Sequence, residues 1–184
     1  MKRWFLTVFI GMSLMRELSQ TKKPLWSVAK DCPKGFGIPA ITSDSDENVI
    51  KLSLLARGGE TGKKSGLNWG QRGNRNRNEA YIPLPRKIAR TGFFPLEKQH
   101  FLVVTDDHHT LQLRVEQQND KAITTPASNA QLGEYFRNRL GLANGEYVNK
   151  QHLLAYGRVD VTFYKIDDEQ YYMDFSIDNR RGRR

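Results

Sequence analysis

The chain has 184 residues, and its 29 lysines and arginines against 20 aspartates and glutamates give a formal net charge of +9 at pH 7. This length is typical of one domain with an additional segment, and the positive charge indicates a polyanionic partner, either nucleic acid or an anionic membrane surface. The single Cys32 excludes an internal disulfide framework and a zinc site built from several cysteines. No apolar run reaches the roughly 18 residues that a membrane-spanning helix requires, so we expect a soluble, basic, cysteine-poor globular protein. We expect its partner to be nucleic acid and not a membrane.

Residues 1–47 are predicted to form an N-terminal extension, a linker or the remnant of an upstream domain. Lys2 and Arg3 precede an apolar run over residues 4–15, which has the form of a secretory signal. No small-residue cleavage pattern follows this run, so we expect a cytoplasmic protein. The alternative interpretation is an amphipathic element that packs against the main fold.

Short strand patterns dominate the main domain, which we predict over residues 48–178 and which is followed by a basic, disordered tail over residues 179–184. Apolar and polar residues alternate at the start of residues 49–56, as in a half-buried strand. Two prolines within and after residues 80–84 predict an edge strand there. Two hairpins are predicted, one pairing residues 100–105 with 110–115 and the other pairing residues 159–166 with 171–176.

Two helices are predicted among these strands. The first covers Asn129 to Leu140, with Leu132, Phe136 and Leu140 on its inner face and a stop at Gly141. The second covers residues 150–156, with Asn149 as its N-cap and Gly157 as its end. The order of elements shows no alternation of strand and helix, so the fold class is mainly β with two short helices (α+β), arranged as a small barrel or an open pseudobarrel.

The chain lacks the residue patterns of the common nucleases. None of the four histidines is followed two residues later by lysine, as a phospholipase-D-type nucleophile would be, and no lysine has a carboxylate two residues before it. A phosphate-binding P-loop and a His-Glu-x-x-His zinc motif are also missing from the sequence. The polar stretch from Asp106 to His109 is more simply explained as a hairpin turn than as a metal site. We therefore expect no catalytic residue, no metal and no cofactor, and we do not expect the chain to be an enzyme.

Residues 57–78 carry six basic side chains against one acidic side chain, which accounts for five of the nine net positive charges. Asparagine, glutamine and tryptophan residues are interspersed among these basic residues. Arginine reads guanine, and asparagine and glutamine read adenine, through paired hydrogen bonds in the major groove, whereas lysines more often hold phosphates. A flexible solvated loop would explain the glycines here but not an exposed Trp69, so the segment favours a nucleic-acid surface. The predicted contact residues are Arg57, Lys63, Lys64, Asn68, Trp69, Gln71, Arg72, Arg75, Arg77 and Asn78.

The helix from Asn129 presents a second polar set. Its outer arc is predicted to hold Gln131, Glu134, Arg137 and Asn138, with Tyr135 and Arg139 at the edges. Glu134 is suited to accept a hydrogen bond from a cytosine amino group. Taken alone, this pattern is that of an ordinary amphipathic helix. Together with residues 57–78 it indicates two arms that grip one duplex.

Several stretches of the sequence resemble the C-terminal DNA-recognition domain of NgoFVII/BfiI-type (NgoAVII-like) restriction endonucleases. The similarity covers residues 49–176 and lies in SGLNWGQR (65–72), NEAYIPLP (78–85), TGFFP (91–95), LGEYFRNRLGL (132–142) and YGRVDVTFYKIDD (156–168). The resemblance implies an open seven-stranded pseudobarrel of the plant B-three DNA-binding type, related in fold to the EcoRII effector domain. It also implies two arms that enter the major groove.

Carried over to this sequence, the N-terminal arm is the segment 57–78 and the C-terminal arm is the segment 128–139. The predicted contacts of the C-terminal arm are Ser128, Asn129, Gln131, Glu134, Tyr135, Arg137, Asn138 and Arg139. Full-length members of the family place a phospholipase-D-like nuclease domain before this domain, and the motif of that nuclease is missing here. The resemblance thus implies a bacterial target-recognition domain that binds a short, asymmetric site in double-stranded DNA, with a phospholipase-D-like nuclease domain or subunit as a further candidate partner.

Two other functions remain open from the sequence. An RNA or single-stranded nucleic-acid binding module would use Trp69, Tyr81 and Tyr135 as platforms on which bases stack. A secreted or membrane-surface protein would use residues 1–15 and the arginines of the C-terminal tail.

Overall fold

A computed structural model describes residues 46–177, so the predictions for residues 1–45 and for the tail lie outside the described residues. Seven strands form one sheet, and the family-based expectation of seven strands is confirmed. The strands are β1 (Val49–Ser53), β2 (Ile82–Pro83), β3 (His100–Thr105), β4 (Thr110–Glu116), β5 (Ala122–Thr124), β6 (Asp160–Lys165) and β7 (Gln170–Asp174). Within residues 46–177, three α-helices accompany the sheet: α1 (Arg86–Ala89), α2 (Ala130–Arg139) and α3 (Lys150–Tyr156). The same part of the chain also contains two 3-10 helical turns, Asp46–Asn48 and Gly66–Gln71.

The strands lie in the order β1-β6-β7-β3-β4-β5-β2, and the two ends of this sheet come near each other. Only β3 and β7 are parallel; the other neighbours are antiparallel. The sheet is therefore nearly closed into a barrel with an unsealed seam between β1 and β2. This is the predicted pseudobarrel, and β2 is the predicted edge strand.

Alternation along the strands places the core inside the barrel. In β6, Val161 and Phe163 are fully buried, as the predicted hairpin requires. Phe94 packs against Phe163 and Tyr171, and the Tyr171 hydroxyl donates a hydrogen bond of 2.6 Å to the Phe93 carbonyl. The TGFFP motif therefore belongs to the core, because its two phenylalanines fill the centre of the barrel.

Both predicted helices are present. In α3 the Asn149 side chain accepts a hydrogen bond from the His152 backbone N–H at 2.9 Å, and Gly157 ends the helix in the left-handed region with a φ of 98°. Helix α2 is one residue shorter at each end than predicted. The four-residue helix α1 was not predicted. No helix within residues 46–177 is long and apolar enough to cross a membrane.

Candidate nucleic-acid interface

An exposed basic surface lies at the tip of the N-terminal arm, where every residue from Arg72 to Arg77 is exposed. Asn74 reverses the chain with a φ of 62°, a conformation that asparagine tolerates better than most residues. Two backbone hydrogen bonds close the base of this turn. The Gly70 N–H donates to the Glu79 carbonyl at 2.8 Å, and the Glu79 N–H donates to the Asn76 carbonyl at 2.9 Å. The tip is therefore a defined turn that presents three arginines, Arg72, Arg75 and Arg77.

Arg75 is held from two sides. Its guanidinium lies over the Trp69 ring at 4.2 Å from the ring centroid, and its Nη1 lies 2.6 Å from Glu79 Oε2. Trp69 itself meets Tyr81 edge to face, with the centroids 5.6 Å apart. The expectation of an exposed Trp69 is corrected here, because the ring is half-buried and supports Arg75 from below.

The other predicted cations of the N-terminal arm are exposed but less constrained. Arg72 Nε donates to the Lys64 carbonyl at 2.9 Å, and Arg77 Nη1 makes a long hydrogen bond of 3.4 Å to Gln71 Oε1. Lys63, Lys64 and Arg57 lie at the surface. These side chains are free to reach a polyanion.

Asn68 faces inward. Its side chain is fully buried, where its Nδ2 donates to the Val148 carbonyl at 2.7 Å and its Oδ1 accepts from the Val148 N–H at 2.8 Å. A further bond from Nδ2 reaches the Gly62 carbonyl at 3.0 Å. The amide thus completes the backbone hydrogen bonding of a distant loop, and the predicted adenine-reading edge of Asn68 is already occupied.

Asn78 joins the two arms in a similar way. Its Nδ2 donates to Glu134 Oε1 at 3.2 Å, and its Oδ1 accepts from the Gly145 N–H at 2.6 Å. Gln71 Nε2 donates to the carbonyl of the same glycine at 3.0 Å. The N-terminal arm, α2 and the loop around Gly145 are therefore tied together by side-chain amides.

The predicted position of Arg137 on the outer arc is wrong, because its side chain is completely buried. Its Nε donates to the Glu146 carbonyl at 2.8 Å and its Nη2 to the Leu67 carbonyl at 3.2 Å. Its Nη1 donates to the carbonyls of Gly133 at 3.2 Å and Asn78 at 3.5 Å. Burial lowers the pKa of Arg137, opposed by the nearby Glu146 and Glu134, and arginine stays charged even so. The guanidinium links three separate chain segments from within.

Arg139 anchors the C-terminal end of α2 to the β3–β4 turn. It forms a bidentate ion pair with Asp106, with distances of 3.0 and 2.7 Å, and approaches Asp107 at 3.2 Å. Its Nη2 also donates to the hydroxyl of Tyr156 at 2.6 Å. Burial would lower the pKa of Arg139, but the hydrogen bond from Arg139 to Asp106 and the hydroxyl of Tyr135 raise it overall. The guanidinium of Arg139 therefore stabilises the fold through contacts within the domain.

The same cluster perturbs two further groups. Burial raises the pKa of the Tyr135 hydroxyl, and the charge of Asp107 raises it further. Partial burial alone would raise the pKa of Asp107, but the hydrogen bond from Thr105 and the charges of Arg139 and His109 outweigh it, so that pKa is lowered. The polar turn expected at Asp106–His109 is thus present, and it holds Arg139.

The remaining residues of the C-terminal arm reach the surface. Ser128 and Asn138 are exposed, whereas Asn129, Gln131 and Glu134 are half-buried. Tyr135 is only 6% exposed, so it offers no open face for a stacked base. The side chains available for contact therefore lie mainly towards the N-terminal half of α2.

Sequence reasoning missed three residues that organise this surface, namely Glu79, Asp106 and Asp107. Glu79 was detectable, since it follows Arg75 by four residues. Asp106 and Asp107 carried no signal, because their partner Arg139 lies over 30 residues away along the chain. Gly133 gave a usable hint for Arg137, because a glycine inside a helix often marks a close approach of another chain segment.

Comparison with known proteins identifies the family. The sequence profile of the NgoFVII C-terminal B3-like DNA-binding domain matches residues 42–167, which includes both arms and six of the seven strands. No curated protein matches the chain significantly. The matched profile describes a DNA-binding domain and not a catalytic one, and it covers more than half of the chain. The chain therefore belongs to the family of NgoFVII C-terminal B3-like DNA-binding domains, and DNA is its partner.

Proposed function

We propose that this domain recognises a specific sequence in the major groove of double-stranded DNA through its two arms. The observation that carries the proposal is that hydrogen bonds hold the N-terminal arm and α2 in a fixed relative position. A turn with three exposed arginines stands beside the half-exposed face of α2, and the buried Asn78 and Arg137 join them. Since neither arm can move without breaking these bonds, the two present one preformed surface, which reduces the entropy lost on binding.

Affinity and specificity are assigned to different residues of this surface. The lysines Lys63 and Lys64, with Arg57 and Arg72, contact phosphates and supply affinity that falls with salt. Base edges are read by Arg75 and Arg77 from the N-terminal arm and by Gln131, Glu134 and Asn138 from the C-terminal arm. Asn68, Asn78, Arg137 and Arg139 support the surface without contacting DNA.

We further propose that the domain is the target-recognition part of a restriction endonuclease, working with a phospholipase-D-like nuclease domain or subunit. Because one domain carries both unlike arms, the site it reads is short and asymmetric. Single-stranded nucleic acid or RNA is a weaker candidate, because the three aromatic residues that would stack bases are covered or only partly exposed.

Selection of bound duplexes from a randomised library tests the proposal. It is run near 150 mM salt, because the electrostatic part of binding changes steeply with salt. A single enriched, non-palindromic site is expected, with a duplex preferred over either separated strand. Binding without enrichment, or a preference for single strands, would contradict it.

A further inference from the structure

We infer that Glu79, an acidic residue beside the basic turn, is a positioning residue that orients Arg75 for the recognition of one guanine. The inference rests on the proposed function and adds to it a residue whose charge is opposite to that of the surface around it.

An acidic side chain here lowers affinity for DNA unless it has another role, because its charge repels phosphates. Glu79 is only 19% exposed and lies 2.6 Å from Arg75 Nη1. Its backbone is fixed on both sides by the hydrogen bonds to Gly70 and Asn76 at the base of the turn. The backbone of Glu79 therefore has a defined place, and its largely covered carboxylate holds the long side chain of Arg75.

The contacts of Arg75 leave one edge of its guanidinium open. Nη1 bonds Glu79, and one face of the group lies on Trp69. Among residues 46–177 the structure gives Arg75 no hydrogen bond from Nε or Nη2. These two N–H groups form the side edge of the guanidinium, and two parallel donors of this kind match the O6 and N7 acceptors of guanine.

Within the N-terminal arm, no other arginine has this arrangement. Arg72 spends its Nε on the Lys64 carbonyl, and Arg77 has only the long bond to Gln71. A side chain already held in one rotamer loses less entropy when it binds, and it tolerates fewer wrong bases. The geometry therefore distinguishes Arg75, whose side chain is already oriented for a base, from Arg72 and Arg77, whose side chains are not held in this way.

The test uses Glu79→Gln, which keeps the size of the side chain and removes its charge. Dissociation constants are measured at one salt concentration for the selected duplex, for its single-base-pair variants and for an unrelated duplex. We expect preference at one G·C pair to fall roughly 5- to 10-fold, a part of what a full bidentate contact supplies. We expect binding to the unrelated duplex to tighten roughly 2- to 3-fold, because a repulsive charge is gone.

Glu60→Gln is the matched control. Glu60 also lies in the N-terminal arm, but it is 69% exposed and pairs with Lys150. Its removal is expected to tighten binding to all duplexes while every base preference stays. Glu79→Asp is the second variant: it keeps the charge but shortens the reach, so it loses the preference without the gain on the unrelated duplex. Arg75→Lys is expected to affect the same base pair, and the double variant with Glu79→Gln is expected to lose no more than Arg75→Lys alone.

Three results would overturn the inference. Glu79→Gln could keep every base preference, or change preference at a pair that Arg75→Lys leaves alone. It could also tighten binding to the selected duplex more than to the unrelated one, which would mean that Glu79 masks Arg75. If the wild-type protein selects no sequence at all, the proposed function itself fails, so the two failures are distinguishable.

Discussion

Gly133 of α2 lies directly against the backbone carbonyl of Asn78, the last residue of the N-terminal arm. A methyl group at position 133 would overlap that oxygen and also crowd the Arg137 guanidinium. Glycine lets the helix and the arm approach closely enough for Arg137 to bond both carbonyls. The relative position of the two arms is therefore set by the absence of one side chain.

Gly133→Ala is expected to lower the free energy of unfolding by about 3 kcal/mol, because it overpacks a contact against backbone that cannot shift freely. Urea unfolding measures this change. Gly73→Ala is the control, since a methyl group at Gly73 meets nothing within 4 Å. Equal stability of the two variants would mean that the arm and α2 are not in close contact.

Arg137→Met is expected to cost about 3–5 kcal/mol of folding stability, because it leaves several buried carbonyls without donors. Asn138→Ala removes the exposed neighbour and is expected to change stability by no more than about 0.5 kcal/mol. Denaturant unfolding of both variants checks this. If Arg137→Met folded with full stability and lost preference at one base pair, Arg137 would be a reader instead.

The double variant Lys63→Ala/Lys64→Ala is expected to weaken binding to every duplex to a similar extent. The slope of log affinity against log salt should become shallower by about two, since each lysine is proposed to neutralise one phosphate. Titrations at several salt concentrations, on the selected and on an unrelated duplex, measure both quantities. A loss confined to one base pair would contradict phosphate contact.

Acid stability is expected to depend on Asp107. Its folded pKa lies below the ordinary value of 3.8, so the ionised carboxylate favours the folded state. Its contribution is complete above the unfolded pKa and disappears as the pH falls through the folded pKa. The stability difference between wild type and Asp107→Asn should therefore be constant above about pH 5 and shrink below about pH 4. Glu60→Gln controls for the loss of an exposed carboxylate, and thermal unfolding across pH measures all three proteins.

The sequence predicted the frame of the domain well because local patterns control it. Alternation identified both hairpins, and the cap at Asn149 with Gly157 at the other end gave the bounds of α3. The TGFFP motif is shared with the family, and its two phenylalanines fill the core of the barrel. Motifs made of core residues identify the fold, even when none of their side chains contacts a ligand.

The interior of the site was harder to predict because its partners are distant in sequence. Asn68 bonds a backbone 80 residues away, and Arg137 reaches the carbonyl of Leu67 across 70 residues. Helix periodicity predicts that Arg137, next to Phe136, lies at the surface. In the structure a loop covers this position, so the side chain is buried. Apart from the glycine at position 133, no local pattern in α2 indicates that another segment covers this face.

The position of strand β7 in the sheet determines where the domain can be truncated and when it can fold during synthesis. This strand lies between β6 and β3, so among the seven described strands it alone connects the β1–β6 pair to the remaining four strands through backbone hydrogen bonds. The family match ends at residue 167, three residues before this strand begins. A fragment trimmed to the matched region would consist of two sheet pieces with no bridge, and Tyr171 would be missing from its core. During translation, too, synthesis must pass residue 174 before the barrel can assemble, although residues 57–78 and 128–139 are made earlier.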